Sequence, residues 1–367
     1  MPKSAAILLS RQPLRPCGLD AWVQKSVEAI RWLKQDNVIL YTSAGMQTWE
    51  VLTALGSMYG LRQKVYIPCT NAHQFQQLKY SLSEQFELDP DITELLPVWP
   101  DYPTIPARAG YVERDKVIVG SAAMLIPISI RPGGQLEGLI EKKQVEGKIV
   151  ISYFGVDYLP RTTPLAYRVP KDKINTHLGD IADKYLIHWT RTFNSAWPTE
   201  TLLDYYRTIV ESDRYPRSAF DSISNIITTG VIKASTKNMP QKAAVVSFSN
   251  RPPDEMIELI RWRARHRQMS FEPYGVGIEK NLAARLEILP VKYYCRDNPP
   301  DSQGDTWRTQ SIGVITDWRT ENEYRHMGDV SLGELPKERM RLFCHSESEA
   351  DKLTNRFGIE AIPFVRD

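Results

Sequence analysis

Short apolar runs that alternate with helical segments fill the first 155 residues of the chain. The runs AAILL (5–9) and NVILYT (37–42) are mostly apolar, as strands are when helices cover both faces of their sheet. Residues 18–35 and 46–60 instead place apolar side chains at helical spacing. This alternation predicts an α/β domain with a mainly parallel sheet. Further strands are predicted at 64–68, 115–121, 125–130 and 148–155.

Proline-rich stretches divide the chain. Residues 86–113 interrupt the alternation and predict a long surface loop. Residues 156–175 contain three prolines and little periodicity, which predicts a domain boundary. A chain of 367 residues is long enough for two domains, predicted at 1–160 and 176–367. In the second, helices are predicted at 177–186, 199–212, 218–235 and 253–268 and strands at 186–191, 242–249, 274–280 and 290–294, which indicates an α+β domain.

Net charge and cysteine content indicate the compartment of the protein and the classes of partner that it can have. The net charge is +2, so no overall basic field favours nucleic acid or an anionic membrane. No apolar stretch is long enough to span a bilayer, and the amino-terminal apolar run is too short for a signal peptide. The cysteines are scattered, and Cys344 next to His345 is a poor chelating pair because neighbours on a strand face opposite ways. We therefore expect a cytoplasmic protein with no membrane partner and no metal site.

Small residues follow three predicted strands of the first domain. Such turns allow a ligand phosphate to approach backbone amides at the start of a helix. In the third turn a double glycine lies beside an arginine, whose guanidinium can hold an anion. The alternative is that all three are tight turns of a scaffold without a ligand. The candidate residues are Ser43 and Gly45, then Gly120 and Ser121, then Arg131, Gly133 and Gly134.

The layout of the first domain, with its SAG and RPGG turns, resembles the Rossmann-like domains of the DprA and LOG proteins, which belong to the wider SLOG group. That resemblance implies a domain that binds a nucleotide and controls an attached effector. It also raises the alternative of an enzyme that cleaves a nucleotide N-glycosidic bond, as LOG proteins do. Against this alternative, the carboxylates that follow the glycine-rich turn are Glu137 and Glu141, whose spacing is unremarkable.

The second domain contains three short motifs, each on a predicted strand. LIHWTR carries His188 and Thr190, and VVSFS carries Ser247 and Ser249. The stretch ENE then spaces two carboxylates one residue apart, which predicts that both project from the same face of a strand. Taken alone, paired acids on a strand are an ordinary solvated edge. After the other two motifs, Glu321 and Glu323 become candidates for chemistry.

The same three motifs resemble those of ADP-ribosyltransferase folds. His188-x-Thr190, followed by a helix that ends in glycine, is similar to the poly-ADP-ribose polymerase and diphtheria-toxin group and to DarT toxins. Ser247-x-Ser249 and the E-x-E step are similar to the arginine-using branch, with Arg191 as the arginine. Both branches stay open at this point. Residues 218–345 also resemble families linked with abortive phage infection.

The resemblance implies NAD as substrate and a role for each motif. A carboxylate, here Glu323, stabilises the oxocarbenium-like state formed when the nicotinamide–ribose bond breaks, and Glu321 positions or deprotonates a nucleophile. The expected function is transfer of ADP-ribose to a macromolecule of unknown class, or hydrolysis of NAD, in phage defence or as a toxin. The alternative is a non-catalytic nucleotide-binding regulator or partner-binding protein. The cofactor-binding candidates are His188 on the adenosine-side ribose, Thr190 of the same motif, Arg191 on a phosphate, Ser247 and Ser249 as hydrogen-bonding groups, and Tyr274 stacked on nicotinamide.

Overall fold

The apolar runs of the first part form one six-stranded sheet in a computed structural model of the chain. All neighbouring strands are parallel, in the order β4-β3-β2-β1-β5-β6. The prediction of a Rossmann-like α/β domain with a parallel sheet is therefore confirmed. The strands are β1 (Ser4–Leu9), β2 (Ile39–Ser43), β3 (Gln63–Pro68), β4 (Thr93–Val98), β5 (Met124–Ser129) and β6 (Ile149–Val150).

Helices connect these strands and bury their apolar faces against the sheet. Helix α1, for example, turns Trp22, Ile30 and Leu33 into the core. A later helix, α7, belongs to the same core through Leu203, Tyr206 and Ile209 and was not assigned to this domain from the sequence. The helices are α1 (Ala21–Gln35), α2 (Gln47–Met58), α3 (Ala72–Gln85), α4 (Arg108–Ser121), α5 (Gln135–Val145) and α7 (Leu202–Glu211).

The chain divides into two units with a discontinuous boundary. Unit 1 is Met1–Thr163 with Asn194–Pro216, and unit 2 is Pro164–Phe193 with Arg217–Asp367. The predicted ranges placed residues 194–216 in the second domain, whereas in the structure they pack within unit 1. The structure describes residues 3–99, 108–159, 163–181, 183–237, 239–264, 267–295, 305–312 and 317–366.

Unit 2 is built on a seven-stranded mixed sheet in the order β13-β16-β9-β7-β12-β18-β19. Its pairs are antiparallel except for β18 with β19. An α+β unit is thus present, while its likeness to an ADP-ribosyltransferase stays a prediction. The sheet strands are β7 (Tyr185–Trp189), β9 (Val245–Ser249), β12 (Gly275–Glu279), β13 (Leu289–Pro290), β16 (Glu323–Met327), β18 (Met340–Ser346) and β19 (Ala361–Val365).

Short elements surround this sheet. Helix α8 starts with a reciprocal cap between Ser218 and Asp221 and ends at Gly230, whose positive φ suits glycine. The helices are α6 (His177–Asp180), α8 (Ala219–Thr229), α9 (Lys280–Arg285) and α10 (Glu347–Phe357). The remaining strands are β8 (Val231–Ile232), β10 (Trp262–Arg263), β11 (Gln268–Met269), β14 (Lys292–Tyr294), β15 (Thr309–Ser311) and β17 (Val330–Ser331).

Local predictions from the sequence were wrong at several segments. The helices predicted at 177–186 and 218–235 are shorter in the structure, at His177–Asp180 and Ala219–Thr229. Residues 115–121 form the end of α4, because a short apolar run fits a buried helix as well as a strand. The stretch 86–113 holds β4 and the start of α4 and is no continuous loop, although residues 100–107 lie outside the described part. Of 148–155, β6 keeps two residues. Residues 253–268 form a 3₁₀ turn (Glu255–Leu259) and β10, with residues 265 and 266 outside the described part.

Two glycines, one inside α5 and one just after it, allow the local stability of unit 1 to be tested. Gly138 lies inside the helix, Gly147 follows it with a φ of +88°, and a Cβ at either position meets no atom within 4 Å. Gly138→Ala should stabilise the helix by about 1 kcal/mol, and Gly147→Ala should destabilise it by about the same amount. Hydrogen exchange of peptides covering α5 should slow about fivefold in the first variant and quicken about fivefold in the second. Equal effects of the two substitutions would contradict the assigned backbone.

Candidate functional site

The three motif strands of unit 2 lie side by side. Strand β9 is between β16 and β7, so the strands that carry Glu323, Ser247 and His188 are direct neighbours. Glu323 pairs with Ser249, and Arg325 pairs with Ser247. Paired residues and alternate residues of a strand share a face, so these four side chains lie on one face of the sheet. We call this face, defined by Ser247, Ser249, Glu323 and Arg325, the acidic face.

A buried ion pair forms the centre of the acidic face. Arg325 Nε donates to Glu323 Oε1 at 2.8 Å, and Arg325 Nη2 donates to Glu323 Oε2 at 2.9 Å. The Arg325 side chain is 1% exposed and that of Glu323 is 14% exposed. Ser247 Oγ donates to Glu323 Oε1 at 2.7 Å. The carboxylate is therefore fixed in one orientation by a bidentate guanidinium and a hydroxyl.

Arg325 is fully bonded, and it was missed in the sequence. Its Nη1 donates to the carbonyl oxygens of Trp307 and Thr309 at 2.9 and 3.3 Å, and its Nη2 donates also to Gln310 Oε1 at 3.0 Å. A guanidinium has five N–H donors, and all five are used here. The available signal was the E-x-R spacing at the start of β16, which puts an acid and a base on the same face of a strand.

Glu321 does not continue the strand of Glu323. It ends a 3₁₀ turn (Trp318–Glu321), and Asn322 follows with a left-handed φ of 44°. The prediction that both acids project from one strand was therefore wrong, because a turn separates them. The Glu321 side chain is exposed, and Ser249 Oγ holds its backbone by donating to the Glu321 carbonyl oxygen at 2.7 Å.

Desolvation and several charged side chains act on the pKa of the Glu321 carboxyl. Desolvation by the surrounding protein, and then the negative charge of Glu323, raise the pKa of the Glu321 carboxyl. Arg191, Arg263 and Arg325 act in the opposite direction and lower this pKa. Arg191 is exposed, and within the described residues its guanidinium forms no hydrogen bond or ion pair. The positive charge of Arg191 therefore acts on the Glu321 carboxyl.

Tyr293 is a further residue at this position that the sequence did not indicate. The backbone N–H of Glu323 donates to Tyr293 Oη at 3.2 Å. The side chain is half-buried in β14, and burial raises the pKa of its phenol, as do the charges of Glu323 and Glu321. Tyr293 is therefore an aromatic side chain next to both glutamates.

His188 lies on the opposite side of the sheet from the acidic face. Ile187 pairs with Ser249, so Ile187 shares the acidic face and His188 does not. The His188 ring contacts the Phe248 ring at 5.8 Å, on the side of the core that contains Val246. Its Nδ1 donates to the Ser247 carbonyl oxygen at 2.8 Å, a tautomer inferred from the acceptor. Burial lowers the pKa of His188 and favours the neutral ring.

Thr190 and Tyr274 are also enclosed by the core. Thr190 is buried, and its Oγ1 donates to the carbonyl oxygens of Ala219 and Tyr274 at 3.3 Å each. Tyr274 is 4% exposed, its hydroxyl donates to Glu349, and its ring lies 5.7 Å from that of Tyr167. A stacking role for Tyr274 has no open ring face to use here. The His-x-Thr and tyrosine set thus packs in the core, apart from the serines and glutamates.

The turns of unit 1 hold their backbone amides with internal carboxylates. The Gly45 N–H donates to Glu50 Oε1 at 3.1 Å, and the Gly133 N–H donates to Glu137 Oε2 at 2.6 Å. A carboxylate at such an amide takes the position that a ligand phosphate uses at a helix start. Ser43 Oγ is also satisfied internally, because it donates to the Tyr66 carbonyl oxygen.

The remaining candidates of unit 1 lie at different ends of its sheet. Strand order reverses between β1 and β5, and Arg131, Gly133 and Gly134 follow β5 at its carboxyl end, where ligands bind in open α/β sheets. The Arg131 N–H donates there to Ser10 Oγ at 2.9 Å. Gly120 and Ser121 end α4 before β5 begins, so their predicted place in a strand-to-helix turn was wrong.

Comparisons with known proteins give no family for the chain. No family model matches it, and no curated protein matches it. Among solved structures, it is similar to the DNA processing protein A (DprA) of Streptococcus pneumoniae, with 15% sequence identity and a TM-score of 0.28. The match covers 41% of this chain and 49% of that one, so the chain spans about half the length of that protein. The Rossmann-like fold of unit 1 follows from its own strand order and does not depend on this similarity.

Two absences hold for the part of the chain that the structure describes. No helix in it is long and apolar enough to cross a membrane. The same residues contain no group of three or more His, Cys, Asp or Glu side chains arranged to hold a metal ion.

The Arg325–Glu323 pair should dominate the stability of unit 2. Arg325→Met leaves the Glu323 charge without its partner and should lower the free energy of unfolding by about 3–5 kcal/mol. Ser247→Ala removes one hydrogen bond and should cost about 1 kcal/mol. Urea unfolding followed by hydrogen exchange of β9 and β16 peptides measures both.

A matched control is the exposed pair Arg319–Asp317, which has the same spacing of two residues. Arg319→Met should leave stability unchanged within error, because solvent screens an exposed pair. A double variant, Arg325→Met with Glu323→Gln, should recover part of the loss since no unpaired charge remains. Equal stability of Arg325→Met and Arg319→Met would contradict the buried pair.

Proposed function

We propose that unit 2 uses NAD, either transferring ADP-ribose to a macromolecule or hydrolysing NAD, and that the acidic face is its site. The observation that carries the proposal is the fixed Glu323 carboxylate, which accepts from Ser247 and Arg325 next to a second glutamate. Of the two motif sets, Ser247, Ser249 and Glu323 share a face and Glu321 lies in the adjoining turn, whereas His188 lies on the opposite face and Thr190 and Tyr274 are buried. The arrangement of the arginine-using branch, with Arg191, is therefore the one we propose.

Glu323 has the geometry for charge stabilisation. Its Oε1 accepts two hydrogen bonds and its Oε2 accepts one. A carboxylate offers about four acceptor sites, which leaves one on Oε2 for a ribose hydroxyl. Breaking the nicotinamide–ribose bond builds positive charge on the ribose, and a carboxylate held in place stabilises that charge without having to reorient.

Glu321 and Arg191 have the properties of the other two groups that the reaction needs. A raised pKa makes Glu321 a better base for a nucleophile, either water or an acceptor group. The exposed Arg191 guanidinium has no partner among the described residues and can bind a phosphate oxygen of NAD. The setting in phage defence or as a toxin, and control by a nucleotide bound to unit 1, stay predictions.

Nicotinamide release tests the chemistry. The purified full chain, incubated with NAD and with or without cell extract as a source of acceptor, should release nicotinamide. Glu323→Gln keeps the size of the side chain and removes the charge, so the rate should fall by at least about a hundredfold. The matched control is Glu334→Gln, an exposed glutamate away from the sheet strands, which should leave the rate unchanged. The proposal would be contradicted if the wild type released nicotinamide only at the background rate, or if Glu323→Gln and Glu334→Gln had equal rates.

The pH dependence of that rate tests Glu321. A base acts when ionised, and its pKa is raised above the ordinary value of 4.5, so the rate should fall with decreasing pH at a midpoint above 4.5. Arg191→Gln removes a charge that lowers this pKa and should move the midpoint to higher pH. Arg285→Gln, an exposed arginine on α9, is the control and should not move it. If Arg191→Gln left the midpoint unchanged, the fall in rate at low pH would belong to a group other than Glu321.

A further inference from the structure

A buried carboxylate lies on the chain segment that precedes β12. Glu272 is 1% exposed, and within the described residues no lysine, arginine or histidine pairs with it. Three donors satisfy it: the Thr192 N–H at 2.9 Å, Thr192 Oγ1 at 2.8 Å and the Tyr167 hydroxyl at 2.7 Å. Removing a carboxylate from water is costly, and hydrogen bonds from neutral groups offset that cost only when they are well formed. A buried carboxylate that is bonded by neutral donors alone therefore indicates a role beyond packing.

The segment that Glu272 holds follows directly from β7 and contains Arg191. Its backbone is tied at successive residues. The Thr190 N–H donates to the Tyr274 carbonyl oxygen at 2.8 Å, Ser222 Oγ donates to the Arg191 carbonyl oxygen at 3.0 Å, and the Phe193 N–H donates to the Arg217 carbonyl oxygen at 2.9 Å. Between these residues, the Glu272 carboxylate accepts hydrogen bonds from the Thr192 N–H and from the Thr192 hydroxyl. The backbone on both sides of Arg191 is therefore fixed.

Fixing this backbone matters because the Arg191 side chain has no partner of its own among the described residues. A free arginine side chain loses conformational entropy when it binds a ligand, and that loss grows if its backbone is mobile as well. Arg191 lies two residues past the end of β7, and the Thr190 N–H continues the strand pairing by donating to the Tyr274 carbonyl oxygen. Continuing the alternation of β7 over these two residues puts Arg191 on the side of Ile187, which is the acidic face. Glu272 thus acts on the arginine while its own carboxylate stays in the core.

We propose that Glu272 is a positioning residue that holds Arg191 at the acidic face, ready to bind a phosphate group of the dinucleotide. Glu272 does not touch the ligand, and it acts through Thr192. The inference rests on the proposed role of Arg191 in NAD binding. The Tyr167 hydroxyl completes the arrangement, since it donates the third hydrogen bond to Glu272 and burial keeps the pKa of this phenol well above its usual range.

A double-mutant cycle on NAD affinity separates positioning from general damage. Glu272→Gln loses one acceptor of the carboxylate and should weaken NAD binding about tenfold by calorimetry, with a smaller effect on kcat than on KM. In an Arg191→Ala background the same substitution should change the affinity less than about twofold, because the group it positions is gone. An equal loss in both backgrounds, or no loss in either, would overturn the inference.

Two further variants show which bonds matter. Thr192→Ser keeps both bonds to Glu272 and should bind NAD like the wild type, whereas Thr192→Val loses the hydroxyl and should weaken binding. Glu349→Gln is the matched control, since Glu349 also accepts a tyrosine hydroxyl but is bonded outside the segment 190–193. It should leave the affinity for NAD unchanged even where it lowers stability. Weaker binding by Glu349→Gln equal to that by Glu272→Gln would indicate a structural effect.

A ligand-free measurement keeps this inference distinct from the proposed function. Arg191 lowers the pKa of Glu321, so displacement of Arg191 should raise it. Carbon-detected NMR titration of Glu321, assigned with Glu321→Gln, should show this rise in Glu272→Gln and in Arg191→Ala, with no further rise in the double variant. An unchanged titration in Glu272→Gln would refute positioning. The rise without any NAD binding by the wild type would refute the proposed function and leave positioning intact.

Discussion

The buried guanidinium of Arg325 is the constraint on which the rest of unit 2 depends. A charged group that is 1% exposed is tolerated only if every donor finds an acceptor, and its acceptors come from Glu323, from Gln310 and from the backbone carbonyls of Trp307 and Thr309 just before Gln310. Strand β16 and residues 307–310 must therefore be placed together. The direction of the Glu323 carboxylate follows from this requirement and does not depend on a ligand.

The two faces of the sheet determine which motif residues belong together. From sequence, His-x-Thr, Ser-x-Ser and Glu-x-Glu formed one series, and the two branches that they resemble could not be separated. The strand register distributes them: Ser247, Ser249 and Glu323 lie on one face, His188 lies on the other, and Glu321 lies in the turn before β16. The face that carries the polar side chains of β9 and β16 is apolar at β7, where Tyr185 and Ile187 belong to a second hydrophobic cluster.

The sequence predicted β1, β2, β3 and β5 well, because buried parallel strands are short apolar runs with few alternatives, but β4 lies in the stretch that was predicted to be a loop. It failed at 115–121, where such a run belongs to a helix, and at Glu321, where Asn322 interrupts the strand with a left-handed residue. Glu50 and Glu137 could not be recognised as partners of Gly45 and Gly133, since a carboxylate four or five residues after a glycine is common. Arg325 and Glu272 were missed because burial of a charge depends on contacts far away in the chain.

The inclusion of residues 194–216 in unit 1 has a consequence for synthesis on the ribosome. Tyr206 of α7 stacks on Phe86 with ring centroids 6.3 Å apart, and its hydroxyl donates to Glu50, so the core of unit 1 is incomplete until α7 has emerged. By then residues 164–193, which include β7 of the other unit, have already been made. Strand β7 is therefore still without its partner strands when α7 completes the core of unit 1. Folding in this chain cannot proceed as two independent events in chain order, and a fragment that ends at residue 163 lacks part of its own core.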